Sequence, residues 1–242
     1  MDNFMCDPKS GETYTRSTVR VIAIVGCDGS GKSTLAAELV NHLTRQTPTK
    51  LFYLGQSSGR ICEWILTLPI IGHSLGQYLL KKAGRVHSRP GTPPGNITAL
   101  VIFLLSCWRA YKFHRMLIGC QRGELLITDR YPQAEIPGFS VDGPQLAKTT
   151  QGNWWIRKLR AAELKLYHWM ASYPPLLLIR LAVDEQTAYS RKPDHNRVRL
   201  REKIALTSHL NFNGAEILDL DGREPAAQVL EKSLFAIRAH CL

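Results

Sequence analysis

The stretch Gly26-Cys27-Asp28-Gly29-Ser30-Gly31-Lys32-Ser33 follows directly on the apolar run Val21-Ile22-Ala23-Ile24-Val25 and leads into a helical pattern. The spacing G-x-x-x-x-G-K-[ST] in that context demands a buried strand that turns tightly into a helix around an anion. Glycines at 26, 29 and 31 permit the turn, so that successive backbone N–H groups point inward at phosphate oxygens. Lys32 can reach the β- and γ-phosphates of a nucleoside triphosphate, and the Ser33 hydroxyl can ligate Mg²⁺. The helix that follows sets its positive end beneath the same anions. Gly26 to Thr34 are therefore the candidate phosphate-binding residues.

The rest of the chain alternates between strand and helix signals. Apolar runs at 21–25, 51–54, 125–128, 176–183 and 216–220 are separated by helical patterns, which predicts an α/β fold with a doubly wound parallel sheet. Near-continuous apolar character in the first and fourth runs fits strands covered on both faces. The first helix is expected over about 32–45, with Leu35, Leu39, Val40 and Leu43 inward. A long helix is expected over about 97–120. Loops are expected at 84–95 and 132–151, each rich in Gly and Pro. The second, at about twenty residues, is too long for a passive connector and should border the active site.

At 242 residues the chain suits one α/β domain with an insertion at about 60–95, preceded by a loose polar tail over 1–17. The formal net charge of +11 calls for anionic partners, and phosphate ligands account for part of it. Nucleic acid is disfavoured, because no basic tract interleaved with aromatic residues is present. Cysteines at 6, 27, 62, 107, 120 and 241 show neither a C-x-x-C pair nor a zinc spacing, which reads as reduced thiols in a cytoplasmic protein. The segments 61–80 and 97–108 are apolar, yet interrupted or too short to span a bilayer. Peripheral membrane contact through 61–90, flanked by Lys81, Lys82, Arg85 and Arg89, is the lesser expectation; a packed or dimer-forming helix pair is the favoured one.

Chemistry clusters elsewhere too. The third strand ends in Thr128-Asp129-Arg130-Tyr131, and ligands of open α/β sheets sit beyond the carboxyl ends of strands. Asp129 is placed to hold Mg²⁺, and Arg130 to pair with a phosphate. Arg109, on the long helix, points toward the same edge. Pro193 divides two helices whose adjoining ends carry Arg191, Lys192, Arg197, Arg199 and Arg201, a pattern suited to a lid over a polyphosphate.

Together, Gly26–Thr34 with its Asp28, Leu104–Arg109, Gly123–Tyr131, Leu181–Lys192 and Ile217–Val229 resemble the thymidylate kinase family of P-loop nucleoside-monophosphate kinases. The resemblance spans about 21–238. It implies a three-layer P-loop NTPase fold, a five-stranded parallel sheet of order 2-3-1-4-5 with helices on both faces, ATP with Mg²⁺ as donor, and a homodimer. It also implies acceptor binding by Asp28, Arg60, Arg109 and Arg130, catalytic roles for Lys32, Asp129, Arg130 and Arg191, and metal binding by Ser33 and Asp129. Departures fall in the acceptor half. Leu54 to Arg60 replaces the family's Arg-Glu-Pro-Gly or Phe-Pro-Arg segment, and Asp142-Gly143-Pro144 interrupts the 132–151 loop. Transfer to thymidylate is thus the first expectation, transfer to a sugar or sugar phosphate of surface-glycan synthesis the second, and a non-catalytic nucleotide-binding protein the third.

Overall fold

The computed structural model describes residues 4–6, 13–15, 19–55, 94–138, 141–148, 150–193 and 196–241. Nearly all of the expected insertion at about 60–95, with Arg60, lies outside the described residues. Within the first seventeen residues, β1 (Phe4–Cys6) and β2 (Thr13–Thr15) pair antiparallel, Phe4 opposite Thr15.

Alternation of side chains along one strand organises everything else. In β3 (Val19–Gly26), Val21, Ala23 and Val25 face one side, and Ile22 and Ile24 the other. All five are apolar and buried, so both faces must be covered. Helices α2 (Asn96–Gln121) and α3 (Trp154–Ala171) cover the first face with Phe113, Met116, Tyr167 and Met170. Helices α1 (Lys32–Leu43) and α6 (Ala226–Cys241) cover the second with Leu35, Leu39, Leu43 and Ile237.

The strands β4 (Thr49–Leu51), β5 (Leu125–Thr128), β6 (Pro175–Ala182) and β7 (Ile217–Asp221) complete a parallel sheet ordered β4-β5-β3-β6-β7. Counted along the chain within this sheet, the order is 2-3-1-4-5, as the resemblance implied. The sheet and its helical layers make this an α/β fold of the P-loop NTPase type. Helix α4 (Glu185–Arg191) and helix α5 (Arg197–Ser208) lie between β6 and β7.

Element ends differ from the sequence expectation where pairing and apolarity diverge. The edge strand β4 pairs from Thr49, opposite Leu125, two residues before the apolar run at 51–54 begins. Apolarity there marks burial instead: Leu54, beyond the strand, is fully buried, whereas Leu51 is exposed. Helix α1 stops at Leu43, and Thr44 and Thr47 continue as turn.

The long connection after β5 is ordered by its own polar groups. The Gln133 side chain donates to Ile136 O (2.7 Å) and Val141 O (3.1 Å) and accepts from Ile136 N (2.8 Å). A short 3₁₀ turn, Leu146–Lys148, follows. From α3, the fully buried Glu163 accepts from Ser106 Oγ (2.7 Å) and from Leu146 N (2.7 Å), joining α2, α3 and this connection at one carboxylate. Replacing Glu163 by Ala would strand two buried donors, each of which costs about 1–3 kcal/mol when unpaired. Urea unfolding of Glu163→Ala should show a loss of about 2–4 kcal/mol; stability equal to wild type would refute this role.

Candidate active site

The turn from β3 into α1 is built as the motif requires. Gly29 and Gly31 adopt φ of 85° and 95°, a region that favours glycine. At Gly29 the approach is also close: a Cβ there would lie 2.7 Å from Ala188 O of α4. Cys27 and Ser30 are buried, while Ser33 and Thr34 open to solvent at the start of α1. The Lys32 side chain is largely buried and folds back to donate from Nζ to Cys27 O at 2.5 Å. Burial, reinforced by repulsion from Lys203, lowers its pKa to about 8. An ammonium group so placed gains from any anion that enters beside it.

A small cleft opens beside this turn. Val25, Gly26, Lys32, Asp129, Arg130 and Asp142 line it, with Lys203 of α5 across from them. Asp129 and Arg130 arrive at the end of β5, and Asp142 from the connection that follows. That connection therefore reaches the cleft, as its length suggested.

A chain of opposite charges runs through the site. Lys203 Nζ contacts Asp28 Oδ2 at 3.1 Å, and Asp28 Oδ1 stands 3.7 Å from Arg130 Nη2. Arg130 Nη1 stands 3.7 Å from Asp142 Oδ1, and Asp142 Oδ1 accepts from Arg109 Nη2 at 2.6 Å. Burial alone would raise the pKa of Asp28, but Lys203, Lys32 and Arg130 outweigh it and hold the carboxyl at about 2. Burial is likewise outweighed at Asp142, where Arg109 and Arg130 keep the carboxyl below its ordinary value. Asp129 goes the other way. Burial raises its pKa, and Asp142 adds to the effect.

Several buried polar atoms here have no protein partner: Asp129 Oδ1, Arg130 Nε and Ser30 Oγ. Groups left in that state cost free energy, so they mark where a ligand or water belongs. An unpartnered carboxylate oxygen fits Mg²⁺, a hard cation that takes one or two carboxylates and completes its shell with water and phosphate oxygens. No cluster of three or more His, Cys, Asp or Glu suited to a metal occurs among the described residues. Asp129 would hold it, with the exposed Ser33 hydroxyl at the base of the loop.

The sequence-derived candidates do not all converge. Lys32, Asp28, Asp129 and Arg130 do. Arg109 reaches the site only through Asp142, since it is 1% exposed and its Nη1 and Nη2 are both given to that residue. Arg191 donates to Gly29 O (3.2 Å) and Gly222 O (3.0 Å), lying along the outside of the phosphate turn. Arg197 stacks on the Tyr189 ring at 4.0 Å, and the exposed Arg201 pairs with Glu185 at 2.7 Å. Lys192 is exposed; the side chain of Arg199, like Arg60, lies outside the described residues.

Two charged cleft residues, Lys203 and Asp142, were absent from the sequence-derived site set. Lys203 shares the buried face of α5 with Leu200 and Thr207, at i−3 and i+4. A lysine on the inward face of a helix was the available signal. Asp142 was signalled by an Asp-Gly-Pro turn in a connection too long to be passive.

Glycine-rich turn, buried lysine and strand-end carboxylate, set at the edge of a parallel sheet of this order, define the class as that of P-loop NTPases. The chain is 69% identical over 221 residues to the "uncharacterized ATP-binding protein YghS" of Escherichia coli (strain K12), covering 91% of this chain and 93% of that protein. It is 39% identical over 217 residues to the "uncharacterized ATP-binding protein YghR" of the same strain, covering 90% and 86%. No family model matches the sequence. At these identities the chain belongs to the family of YghS and YghR.

The Asp28 carboxyl, depressed to about 2, ties acid stability to this site. Its contribution is fully present above the unfolded value of about 4 and is lost as pH falls through about 2. The stability of wild type should therefore fall as pH drops through that window, by up to about 2 kcal/mol from this group. Asp28→Asn should flatten that part of the profile, and an unchanged acid limb in the variant would contradict the assignment.

Proposed function

We propose that the protein binds ATP with Mg²⁺ at the Gly26–Thr34 turn and transfers the γ-phosphoryl group to a small-molecule acceptor in the adjoining cleft. The observation that carries this is the shared wall formed by the Lys32 ammonium group and the unpartnered Asp129 Oδ1. Relatives that are named ATP-binding proteins support the choice of nucleotide.

Phosphoryl transfer asks a protein mainly for positioning and for neutralisation of charge on the transferring group. Lys32 would turn from Cys27 O to the β,γ-phosphate oxygens, and the backbone N–H groups of the turn would hold the same oxygens. Arg191 lies one residue layer outside, on Gly29 O, and would swing inward as α4 and α5 close. Asp129 and Ser33 would hold Mg²⁺, which would supply positive charge against the phosphates. Arg130 and Lys203 face the acceptor side of the cleft.

The acceptor suggested by the resemblance is thymidylate, in the reaction dTMP + ATP to dTDP + ADP, catalysed by a cytoplasmic homodimer. One observation favours a hydroxyl acceptor such as a sugar instead: the Asp142 carboxylate, held by Arg109 at 2.6 Å, lines the cleft where it could take a hydroxyl proton.

Lys32→Ala should lower turnover by about 10²–10³-fold, the scale on which a single charge-stabilising donor acts. Near-wild-type ADP release from that variant would overturn the assignment. ATP affinity should also fall as pH rises through about 8, where Lys32 loses its proton. Bound phosphate favours the charged amine, so the affinity is full below that pH. Calorimetric titration across pH 6–10 tests the point, with Lys32→Arg expected to remove the decline.

A further inference from the structure

The connection between β5 and α3 delivers one carboxylate into the cleft and holds it there against backbone preference. Asp142 has φ of 59°, a left-handed conformation that residues other than glycine seldom adopt. Its neighbour Gly143 has no room for a side chain, because a Cβ would lie 2.0 Å from Ile136 O and 2.5 Å from Gln133 Nε2. Hydrogen bonds from Gly143 N to Gly138 O and from Gly138 N to Pro144 O, both 3.0 Å, close the turn. Gln133 N donates to Asp142 O at 3.4 Å, and Glu163 anchors the turn's far side at Leu146. Strain retained in this way is typical of functional positions.

The contacts of Asp142 explain what the strain achieves. Arg109 and Arg130 both address its Oδ1, at 2.6 and 3.7 Å, and Arg109 Nη1 also donates to its backbone O at 3.3 Å. Both terminal nitrogens of Arg109 are thereby engaged inside the protein, while its buried Nε has no hydrogen-bond partner. The Asp142 side chain nevertheless keeps 16% of its surface exposed and lines the same cleft as Lys32 and Asp129. The Asp142 carboxylate shares that cleft with Lys32, Arg130 and Lys203, so an acceptor entering there meets a proton-accepting group beside the cations that offset phosphate charge.

Resting on the phosphoryl-transfer reading above, we infer that the acceptor is phosphorylated at a hydroxyl oxygen and that Asp142 receives the hydroxyl proton. The acceptor oxygen forms its bond to the γ-phosphorus as the bond from that phosphorus to the bridging oxygen of ADP breaks. ADP leaves with the bonding pair, and the proton passes to the Asp142 carboxylate and then to water. Weak basicity is no obstacle, since an aspartate fills this role in kinases whose transition state is loose and whose proton leaves late. Arg109 and Arg130 orient the carboxylate.

Two measurements test this. Wild-type protein is incubated with γ-labelled ATP, Mg²⁺ and an equimolar mixture of nucleosides, free monosaccharides and deoxynucleoside monophosphates, and the products are read by ³¹P NMR. The label should appear in a phosphate ester; label only in a phosphoanhydride overturns the inference. Asp142→Asn, a residue that tolerates the left-handed conformation, should lower kcat about a hundredfold or more while the KM for ATP stays within threefold. Turnover equal to wild type overturns the inference, as does faster transfer to monophosphates, because it would show Asp142 to be filling a phosphate site. Failure of the broader reading would be distinct: wild-type protein would then show no calorimetric binding of Mg²⁺·ATP.

Discussion

Arg109 is the side chain around which the candidate site is assembled. A guanidinium group at 1% exposure cannot shed its charge, because its carboxylate neighbour and its own chemistry keep it protonated. Taking such an ion from water costs several kcal/mol unless the geometry of its partner is good. Asp142 is that partner, and it sits on the connection after β5, not on a regular element. The pairing therefore ties the middle of α2 to the cleft and fixes the path of the chain between β5 and α3. Through Arg130, Asp28 and Lys203 the same alternation of charge extends to the phosphate turn and to α5. Few-ångström shifts in any one member would leave another charge buried without its counterpart.

The sheet supplies the fixed edge on which this network rests. Because β3 is apolar on both faces, it must lie between helical layers, and its carboxyl end then opens at the boundary between β5 and β6. The glycine turn, the Asp129-Arg130 pair and the start of α4 gather at that edge. Aromatic packing sets the far wall. Phe113 meets Tyr131 and Trp169 edge-on at ring separations of 5.7 and 5.6 Å, which holds α2 and α3 against the strand end bearing Arg130. Rigid strands thus carry the phosphate turn, while the opposite wall of the cleft depends on a connection held by polar contacts.

Much of this was legible in the residues alone. The five apolar runs named the sheet, and the glycine spacing named the turn, because burial on two faces and tight turning each demand particular residue types. Edges were less legible. The apolar run at 51–54 pointed to burial at Leu54, whereas the ladder of β4 begins at Thr49. Roles of isolated arginines were the least legible: Arg109, Arg130, Arg191 and Arg201 carry the same side chain, yet one is sealed, one spans the cleft, one clasps the phosphate turn and one pairs at the surface. Lys203 was not singled out, and Asp142 stood out only as a departure within its loop, because neither belongs to a motif.

The amino-acid order by itself determined the α/β class, the position of the phosphate turn and the strand end that faces it, since these follow from local periodicity and short-range backbone geometry. Only the tertiary structure decided which charges meet. Arg109 and Asp142 are far apart along the chain, and nothing in either neighbourhood specifies the other. Their contact arises when α2 packs on the sheet and the connection after β5 folds back over it, so the charge pattern of the cleft is a property of the packed molecule.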